Sequence, residues 1–195
     1  MGAERPILTF DLDGVLCRPP FGINPGRNIG KARKSEGRRT FLSPTEPYRY
    51  YLRRPMAGAR EGFAWLNETY DCQVLTARTE HARRPTEGWL KQWLGFLPVL
   101  HLRTDYDETP AAYKARRSAE IGALAHFEDD PHTALWVAES VPAVFLVDWW
   151  RNRWLDDARI HRIRWIAQAG PILRTLVAER EASASTSRPG QSAAD

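Results

Sequence analysis

Carboxylates and one hydroxyl stand at the ends of three short apolar runs, where a parallel sheet would bring them together. Asp11 and Asp13 follow the first run, Thr76 ends the second, and Asp129 and Asp130 follow a later one. Ligands of open parallel sheets bind at the carboxyl ends of the strands, so we expect these side chains to share one cleft. Four carboxylates in one cleft would repel each other unless a cation lay among them. Mg²⁺ prefers such oxygen ligands together with a substrate phosphate, and the residues therefore predict metal-assisted phosphoryl transfer.

The elements that must position these residues alternate between strand and helix. Thr86 is expected to cap the second helix and Gly95 to end it. Strands linked by helices predict right-handed crossovers, so the fold class is α/β: a three-layer, Rossmann-like fold with a five-stranded, mostly parallel sheet. The predicted strands are 6–10, 72–76, 99–102, 125–128 and 143–147, and the predicted helices are 55–69, 86–94, 111–124, 131–140 and 156–181, the last broken at Gly170-Pro171.

The segment 17–54 interrupts this pattern directly after the first strand. It has several proline and glycine residues and is too long for an ordinary loop, so we interpret it as a small, irregular cap. It carries ten Lys or Arg residues against two Glu, which predicts either an anionic partner, such as nucleic acid bound through residues 27–39, or a solvated charged loop. The predicted catalytic core is 1–16 and 55–181, and the small polar residues of 182–195 predict a disordered tail.

Four short motifs resemble those of the haloacid dehalogenase-like (HAD-like) hydrolase superfamily. Asp-Leu-Asp-Gly-Val-Leu at 11–16 resembles its first motif, Leu-Thr-Ala-Arg at 75–78 its second, Lys114 its third and Phe-Glu-Asp-Asp-Pro at 127–131 its fourth. The motifs occur in order, each at the end of a predicted strand or on the helix that follows it. The resemblance spans residues 7–148 and implies a small-cap phosphatase with the fold of this superfamily.

The resemblance implies a role for each matching residue. Asp11 would attack phosphorus to form an aspartyl-phosphate, and Asp13 would protonate the leaving oxygen and then activate water. A second aspartate at that position is typical of the phosphatases and phosphomutases of the superfamily and argues against carbon–halogen chemistry. Gly14 would allow the turn that lets both carboxylates face the cleft. Lys114 would neutralise charge on Asp11 and on the phosphoryl group.

The same resemblance assigns residues to the phosphate group and to the metal. Thr76 would donate a hydrogen bond to a phosphate oxygen, and Mg²⁺ is the implied cofactor. The implied substrate-binding residues are Gly14, Thr76, Ala77 and Arg78, and the implied metal ligands are Asp11, Asp13 through its backbone carbonyl, Asp129, and Asp130 directly or through water.

Three functions remain open from the sequence. The first is a phosphatase for a nucleotide or another small phosphorylated metabolite. The second is a phosphatase for the 3′ or 5′ ends of nucleic acid, because the layout of the later motifs is similar to the phosphatase domains of polynucleotide kinase-phosphatases and to deoxyribonucleotidases. The third is a catalytically idle protein with this scaffold that binds nucleic acid or a partner through its basic insertion. The matching residues Asp11, Asp13, Thr76, Lys114 and Asp129 argue against the third function.

Composition predicts a cytoplasmic protein that does not enter a membrane. No apolar run is long enough to cross a bilayer, the first residues lack the order of a secretory signal, and Cys17 and Cys72 cannot form a disulfide framework. Trp149, Trp150 and Trp154 cluster after the fifth strand, and we expect them to pack under the C-terminal helix rather than to form a surface for stacked bases. The exact substrate and the oligomeric state are left open by the sequence.

Overall fold

Six strands and five α-helices make up the computed structural model, which describes residues 5–19, 53–105 and 107–186, and they alternate except between the last two strands. The strands are β1 (Ile7–Phe10), β2 (Asp71–Thr79), β3 (Leu100–Arg103), β4 (Ala125–Glu128), β5 (Ala143–Val147) and β6 (Ile160–Ile163). The α-helices are α1 (Ala59–Thr69), α2 (Arg83–Leu94), α3 (Pro110–Glu120), α4 (Pro131–Ala138) and α5 (Gly170–Thr186). All five predicted strands are present.

The strands form one parallel sheet in the order β3-β2-β1-β4-β5-β6. Because β1 lies between β2 and β4, the chain builds outward from β1 in one direction and then returns to build outward in the other. Such a reversal leaves a crevice at the carboxyl ends of β1 and β4, where doubly wound folds bind their ligands. The register places Phe10 beside Phe127 at this edge, one residue before Asp11 and Glu128. The predicted three-layer, Rossmann-like fold is confirmed.

The sheet has one strand more than the five that the sequence predicts. β6 pairs with β5 as a parallel strand at the edge of the sheet. Ile160, Ile163 and Ile166 recur every three residues, and this spacing resembles one face of a helix. The predicted helix over 156–169 is wrong, because a strand followed by a 3₁₀ turn buries Ile163 and Ile166 just as a helix would.

Helices cover both faces of this sheet. One hydrophobic core contains residues of α1, α2 and α5, and a smaller one contains residues of α3 and α4. Aromatic rings link the central strands inside the larger core, because Phe10 stacks on Phe127 with ring centroids 4.2 Å apart and Phe127 stacks on Phe145 at 4.8 Å. Burial of such large rings contributes strongly to the hydrophobic free energy of folding and holds β1, β4 and β5 in register.

The helix ends follow from local chemistry at most positions. The side chain of Thr109 caps α3 and that of Asp130 caps α4, each by accepting a hydrogen bond from a backbone N–H. Gly95 ends α2 as predicted, with a φ of 85° that suits glycine. Thr86 does not cap α2, because the helix begins earlier, at Arg83, and Thr86 is buried within it.

The two ends of the predicted insertion lie side by side. The backbone N–H of Arg18 donates to the carbonyl of Arg54 at 2.8 Å, so the chain leaves the core and returns to it at one place. Residues 20–52, with the basic segment 27–39, lie outside the described residues. The cap and its role therefore stay predictions.

The C-terminal helix is longer than the sequence indicates. α5 runs to Thr186, five residues past the predicted limit of the core at 181. The rest of the predicted tail, 187–195, lies outside the described residues. Within the part of the chain that the structure describes, neither α5 nor any other helix has the length and apolar character that a bilayer crossing requires.

The tryptophans after β5 do not all pack under α5. Trp149 packs against the larger core, but Trp150 and Trp154 are 71% and 59% exposed, so the predicted packing is wrong for these two residues. A 3₁₀ turn over Trp150–Asn152 accounts for the difference, because it buries Asn152 and leaves the neighbouring indole on its outer side.

Gly62 in α1 lies against the 3₁₀ turn before α5 and has no room for a side chain. A Cβ atom at this position would lie 2.9 Å from Cβ of Ile166 and 3.2 Å from the backbone N of Ala167. Alanine gains about 1 kcal/mol over glycine in a helix, but overpacking costs about 1–3 kcal/mol. We therefore expect Gly62→Ala to lower the free energy of unfolding, as measured by urea denaturation. Glu61→Ala, on the exposed side of α1, is the control, and a more stable Gly62→Ala protein would contradict the packing.

Candidate active site

Three acidic side chains meet at the carboxyl ends of β1 and β4. Asp11 follows β1, and its backbone N–H donates to the carbonyl of Phe127 in β4 at 2.9 Å. Glu128 ends β4, and Asp129 follows it. One carboxylate oxygen from each of Asp11, Glu128 and Asp129 lies within 4.8 Å of the other two, and we call this set the carboxylate cluster. The pairing of two neighbouring strands therefore sets its spacing.

Lys114 of α3 is the cation inside the carboxylate cluster. Its Nζ lies 2.8 Å from Oδ1 of Asp11 and 2.6 Å from Oε2 of Glu128, and all three side chains are buried. Burial alone would lower the pKa of Lys114, but the two carboxylates outweigh burial and hold that pKa above its usual range. The structure thus places Lys114 beside Asp11, where the motif resemblance puts it.

The negative charge of the carboxylate cluster is larger than the positive charge of the side chains that contact it. Burial raises the pKa of Asp11 to about 7, with Lys114 opposing the rise and Glu128 adding to it. Burial, Glu128 and Asp11 together raise the pKa of Asp129 well above its usual range. Burial would also raise the pKa of Glu128, but Lys114 holds it below its usual range. Raised carboxyl pKa values in a shared site indicate charge that a bound cation would stabilise.

Arg151 contacts the other end of the carboxylate cluster from the segment after β5. Its Nη2 donates to Oδ2 of Asp129 at 2.6 Å, and its Nη1 lies 3.5 Å from Oδ2 of Asp130. The neighbouring Asn152 donates through Nδ2 to the backbone carbonyls of Asp129 and Val147, at 3.1 and 2.8 Å. The turn after β5 is thereby tied to the acidic motif after β4.

The side chain of Asp13 is engaged by two arginines. Arg78 donates to it from Nε at 2.9 Å and from Nη2 at 2.7 Å, and Nη1 of Arg53 donates to the same carboxylate. Burial alone would raise the pKa of Asp13, but Arg78 and Arg53 hold it well below its usual range. Two-pronged contacts between guanidinium and carboxylate groups are among the stronger hydrogen bonds in proteins, so Asp13 is held ionised.

A local irregularity in β2 accounts for the position of Arg78. The pairing of β2 with β3 shifts register between Thr76 and Thr79, and such bulges redirect side chains beside active sites. Thr76 is buried, and its Oγ1 accepts a hydrogen bond from the backbone N–H of Arg78 at 3.3 Å. Nη1 of Arg78 also donates to Oγ1 of Thr86 at 3.1 Å. Ala77 is half-buried between Thr76 and Arg78.

Gly14 adopts a backbone conformation that only glycine adopts readily. Its φ is 100°, and its N–H donates to the carbonyl of Cys17 at 2.9 Å, which closes the turn after β1. Its carbonyl accepts a hydrogen bond from Nε1 of Trp149 at 3.2 Å. The turn that presents Asp11 and Asp13 is therefore fastened to the segment after β5, which also contacts the carboxylate cluster.

The structure divides the proposed metal ligands into two groups. Asp11 and Asp129 belong to the carboxylate cluster. The side chain of Asp13 is bound by arginines, and that of Asp130 caps α4. Glu128 joins the carboxylate cluster although the motif resemblance gives it no role. Its place at the end of a buried strand, one residue before Asp129, is a signal that could have identified it.

Comparison with solved structures identifies the fold. No family model matches the sequence, and no curated protein sequence matches it. A haloacid dehalogenase-like family hydrolase from Streptococcus pneumoniae aligns over 86% of this chain and 98% of its own, with a TM-score of 0.59 and 10% sequence identity. The chain has the haloacid dehalogenase-like fold. At this level of identity, the likeness concerns the HAD-like fold alone.

Two other structures similar to the chain carry more specific descriptions. The D,D-heptose 1,7-bisphosphate phosphatase from B. bronchiseptica, complexed with magnesium and phosphate, aligns over 89% of this chain and 99% of its own, with a TM-score of 0.54 and 12% identity. The Pnkp1/Rnl/Hen1 RNA repair complex includes a chain that aligns over 76% of this chain and 44% of its own, with a TM-score of 0.54 and 17% identity.

Removal of the Lys114 ammonium group should leave two buried carboxylates without their cation. We expect Lys114→Met to lower the free energy of unfolding at pH 7 by about 3–5 kcal/mol, as measured by urea denaturation. Without Lys114, Glu128 has a raised pKa in the folded state. Its protonation as the pH falls from 7 to 5 should therefore reduce the decrease in the free energy of unfolding that the substitution causes.

The matched control for this variant is Arg116→Met, a more exposed position of the same helix, where loss of surface ion pairs costs about 1 kcal/mol or less. Equal destabilisation by the two variants, with no dependence on pH, would contradict the buried role of Lys114.

Proposed function

We propose that this protein is a Mg²⁺-dependent phosphatase that hydrolyses phosphomonoesters through an aspartyl-phosphate on Asp11. The observation that carries the proposal is the buried contact between Lys114 and Asp11, beside the carboxylate of Asp129 and at the crevice of a parallel sheet. Attack on phosphorus requires a nucleophile and charge neutralisation at one point, and this arrangement supplies both. The hydrolase and the phosphatase that share the HAD-like fold support the same activity.

The proposed chemistry has two displacements at phosphorus. Asp11 attacks phosphorus, the bond to the leaving oxygen breaks, and Asp13 gives that oxygen a proton. Asp13 then removes a proton from water, which attacks the aspartyl-phosphate, releases inorganic phosphate and restores Asp11. Lys114 neutralises charge that develops on the phosphoryl oxygens, and Thr76 donates a hydrogen bond to one of them.

The carboxylate cluster fits a divalent cation. Mg²⁺ takes oxygen ligands, and Asp11 and Asp129 offer two carboxylates whose raised pKa values indicate unmet negative charge. Asp130 and the backbone carbonyl of Asp13 are proposed as further ligands. When bound, the ion would offset the charge of the phosphoryl group. Both carboxylate oxygens of Glu128 already accept hydrogen bonds, Oε2 from the ammonium group of Lys114 and Oε1 from the backbone N–H groups of Asp129 and Asp130. We therefore assign Glu128 to positioning Lys114 rather than to the metal.

The arginines around Asp13 suggest how a bound substrate would allow Asp13 to take up the proton that a general acid needs. Arg78 and Arg53 keep Asp13 ionised, whereas protonation of the leaving oxygen requires it to carry a proton. A substrate phosphate is a stronger partner for guanidinium groups, so its arrival would draw the arginines away and let the pKa of Asp13 rise. This extends the proposed phosphate-binding set from Gly14, Thr76, Ala77 and Arg78 to Arg53.

We propose a nucleotide or another small phosphorylated metabolite as the substrate. The insertion 17–54 is proposed to form a small cap. The cytoplasmic location stays a prediction. A second candidate is a phosphatase for 3′ or 5′ nucleic acid ends, which the likeness to a chain of an RNA repair complex favours. In that case the basic segment 27–39 would contact the strand. The buried pairing of Lys114 with Asp11 argues against a catalytically idle protein.

Asp11→Asn should abolish phosphate release while leaving the fold intact, because Asn is nearly isosteric but does not attack phosphorus. The measurement is release of inorganic phosphate from p-nitrophenyl phosphate with Mg²⁺ and after chelation of divalent ions. Asp156→Asn, at an exposed position, is the control and should match the wild-type protein. Undiminished turnover in Asp11→Asn would show that Asp11 is not the nucleophile. Turnover that is unchanged by chelation would show that the reaction does not depend on a metal.

Asp13→Asn should slow substrates according to how much their leaving group needs a proton. General acid catalysis contributes about 10²- to 10⁴-fold, so we expect a loss of that order for ribose 5-phosphate. p-Nitrophenolate leaves without protonation, so its phosphate ester should lose far less in the first step. The ratio kcat/KM for each substrate reports the first displacement alone and tests this, whereas kcat also includes the hydrolysis step in which Asp13 activates water. An equal loss in kcat/KM would assign Asp13 another role.

A further inference from the structure

Large aromatic side chains are exposed beside the candidate active site. Trp150 and Trp154 are 71% and 59% exposed. The ring of His132 lies 5.2 Å from that of Trp154, with 41° between their planes. We call Trp150, Trp154 and His132 the aromatic shelf. Its two indoles are among the largest apolar side chains of the protein, yet they remain in contact with solvent, as is typical of surfaces that bind a partner or ligand.

The aromatic shelf is attached to the site from both sides. Before Trp150, the indole of Trp149 is bonded to the carbonyl of Gly14 in the turn after β1. After it, Arg151 and Asn152 are bonded to Asp129. Trp150 is therefore flanked in the chain by residues that contact both acidic motifs, at the end of the sheet where the phosphoryl group is proposed to react.

His132 fixes the other end of the aromatic shelf. It lies in the first turn of α4, two residues after Asp130, which caps that helix. The shelf thus borders both acidic motifs, and its position follows from contacts that the candidate site already requires.

Arginines alternate with the tryptophans in this part of the chain. The segment 148–165 contains five Arg and three Asp residues together with four Trp. The side chain of Arg151 is only 8% exposed, and its Nε has no hydrogen-bond partner within the described residues. Aromatic rings that stack bases, combined with arginines that attract phosphates, are typical of nucleotide-binding and single-strand-binding surfaces. A sugar phosphate without a base has no flat π-face to cover such a surface.

We infer that the aromatic shelf stacks against the nucleobase of the substrate while its phosphate lies at Asp11. The inference rests on the proposed phosphatase function and narrows its substrate class to compounds in which the scissile phosphate belongs to a nucleotide. A free nucleotide and a nucleic acid end share this chemistry. The alternative occupant is the predicted cap 17–54, which would cover the indoles without contributing to base recognition.

The experiment compares substrates that differ only in the base. KM and kcat are measured with the full-length protein for adenosine 5′-monophosphate and for ribose 5-phosphate, using the wild type, Trp150→Ala, Trp154→Ala and the conservative Trp150→Phe. Trp136→Ala is the matched control, because Trp136 is 57% exposed on α4 and lies one turn beyond His132, farther from Asp130.

Loss of a stacked base should raise the KM for adenosine 5′-monophosphate roughly 5- to 150-fold in each alanine variant. The KM for ribose 5-phosphate and both kcat values should stay within about twofold of wild type, and Trp150→Phe should retain most of the affinity. An equal rise for both substrates, no rise at all, or the same rise in Trp136→Ala would overturn the inference. The second of these outcomes is the one expected if the cap covers the shelf.

Binding measured without turnover separates this inference from the proposed function. Calorimetric titration of the Asp11→Asn protein with adenosine 5′-monophosphate, with and without Trp150→Ala, measures the contribution of the aromatic shelf to nucleotide affinity in the absence of turnover. If the wild-type protein releases no phosphate from any ester, the proposed function fails, and the titration still decides whether the shelf binds a base. If phosphate is released but neither tryptophan affects nucleotide binding, only the inference fails.

Two further comparisons determine whether the stacked base belongs to a free nucleotide or to the end of a nucleic acid strand. Trinucleotides with a 5′ or a 3′ phosphate are compared with adenosine 5′- and 3′-monophosphate in the same variants. A larger effect of Trp154→Ala on a trinucleotide than on the matching mononucleotide identifies a strand end as the substrate. Equal effects identify a free nucleotide.

Discussion

One buried ammonium group, that of Lys114, stabilises the buried negative charges at the centre of this molecule. The carboxylates of Asp11 and Glu128 end two adjacent strands and are removed from water, which would be strongly unfavourable for either charge alone. Lys114 contacts both, and it reaches them from α3, the helix that crosses from the far edge of the sheet back to β4. The strand order and this three-way contact therefore depend on each other, because a different order would separate the acids that the lysine joins.

Two aspartates that are neighbours in sequence have opposite electrostatic surroundings. Burial, with a contribution from Glu128, raises the pKa of Asp11 against the effect of Lys114, whereas Arg78 and Arg53 outweigh burial and lower the pKa of Asp13. Asp11 lies beside β4, where its N–H is bonded to the carbonyl of Phe127, whereas the side chain of Asp13 contacts Arg78 at the bulge in β2. These pKa shifts are the reverse of what the two proposed steps require, because the nucleophile must be ionised and the general acid protonated. The proposed cation beside Asp11 and the substrate phosphate beside the arginines would each shift these pKa values toward the required state.

The part of the site that the sequence predicts is the part encoded close to strand ends. Asp11 and Asp129 could be placed together because apolar runs reveal β1 and β4, and parallel strands bring their ends to one edge. Lys114, within α3, is assigned to the site by the motif resemblance alone. Arg53 and Arg151 could not be placed, because each reaches the site from a segment outside the strands whose course depends on tertiary contacts. The edge strand β6 was missed for a related reason: isoleucines three residues apart fit a helix and a strand-plus-turn equally well. Trp150 and Trp154 were misjudged since a hydrophobic side chain is normally evidence of burial.

The hydrogen bond between Arg18 and Arg54 has a consequence for how such a protein can change over evolutionary time. Because the excursion starts and finishes at adjacent backbone positions, its length alters only a loop-closure entropy that grows slowly with residue number. Segments of other sizes could be exchanged at this junction without shifting the strands beneath. The proposed reacting groups and the proposed cap are therefore free to diverge at different rates, so one scaffold can acquire new substrates by replacing a single stretch of chain.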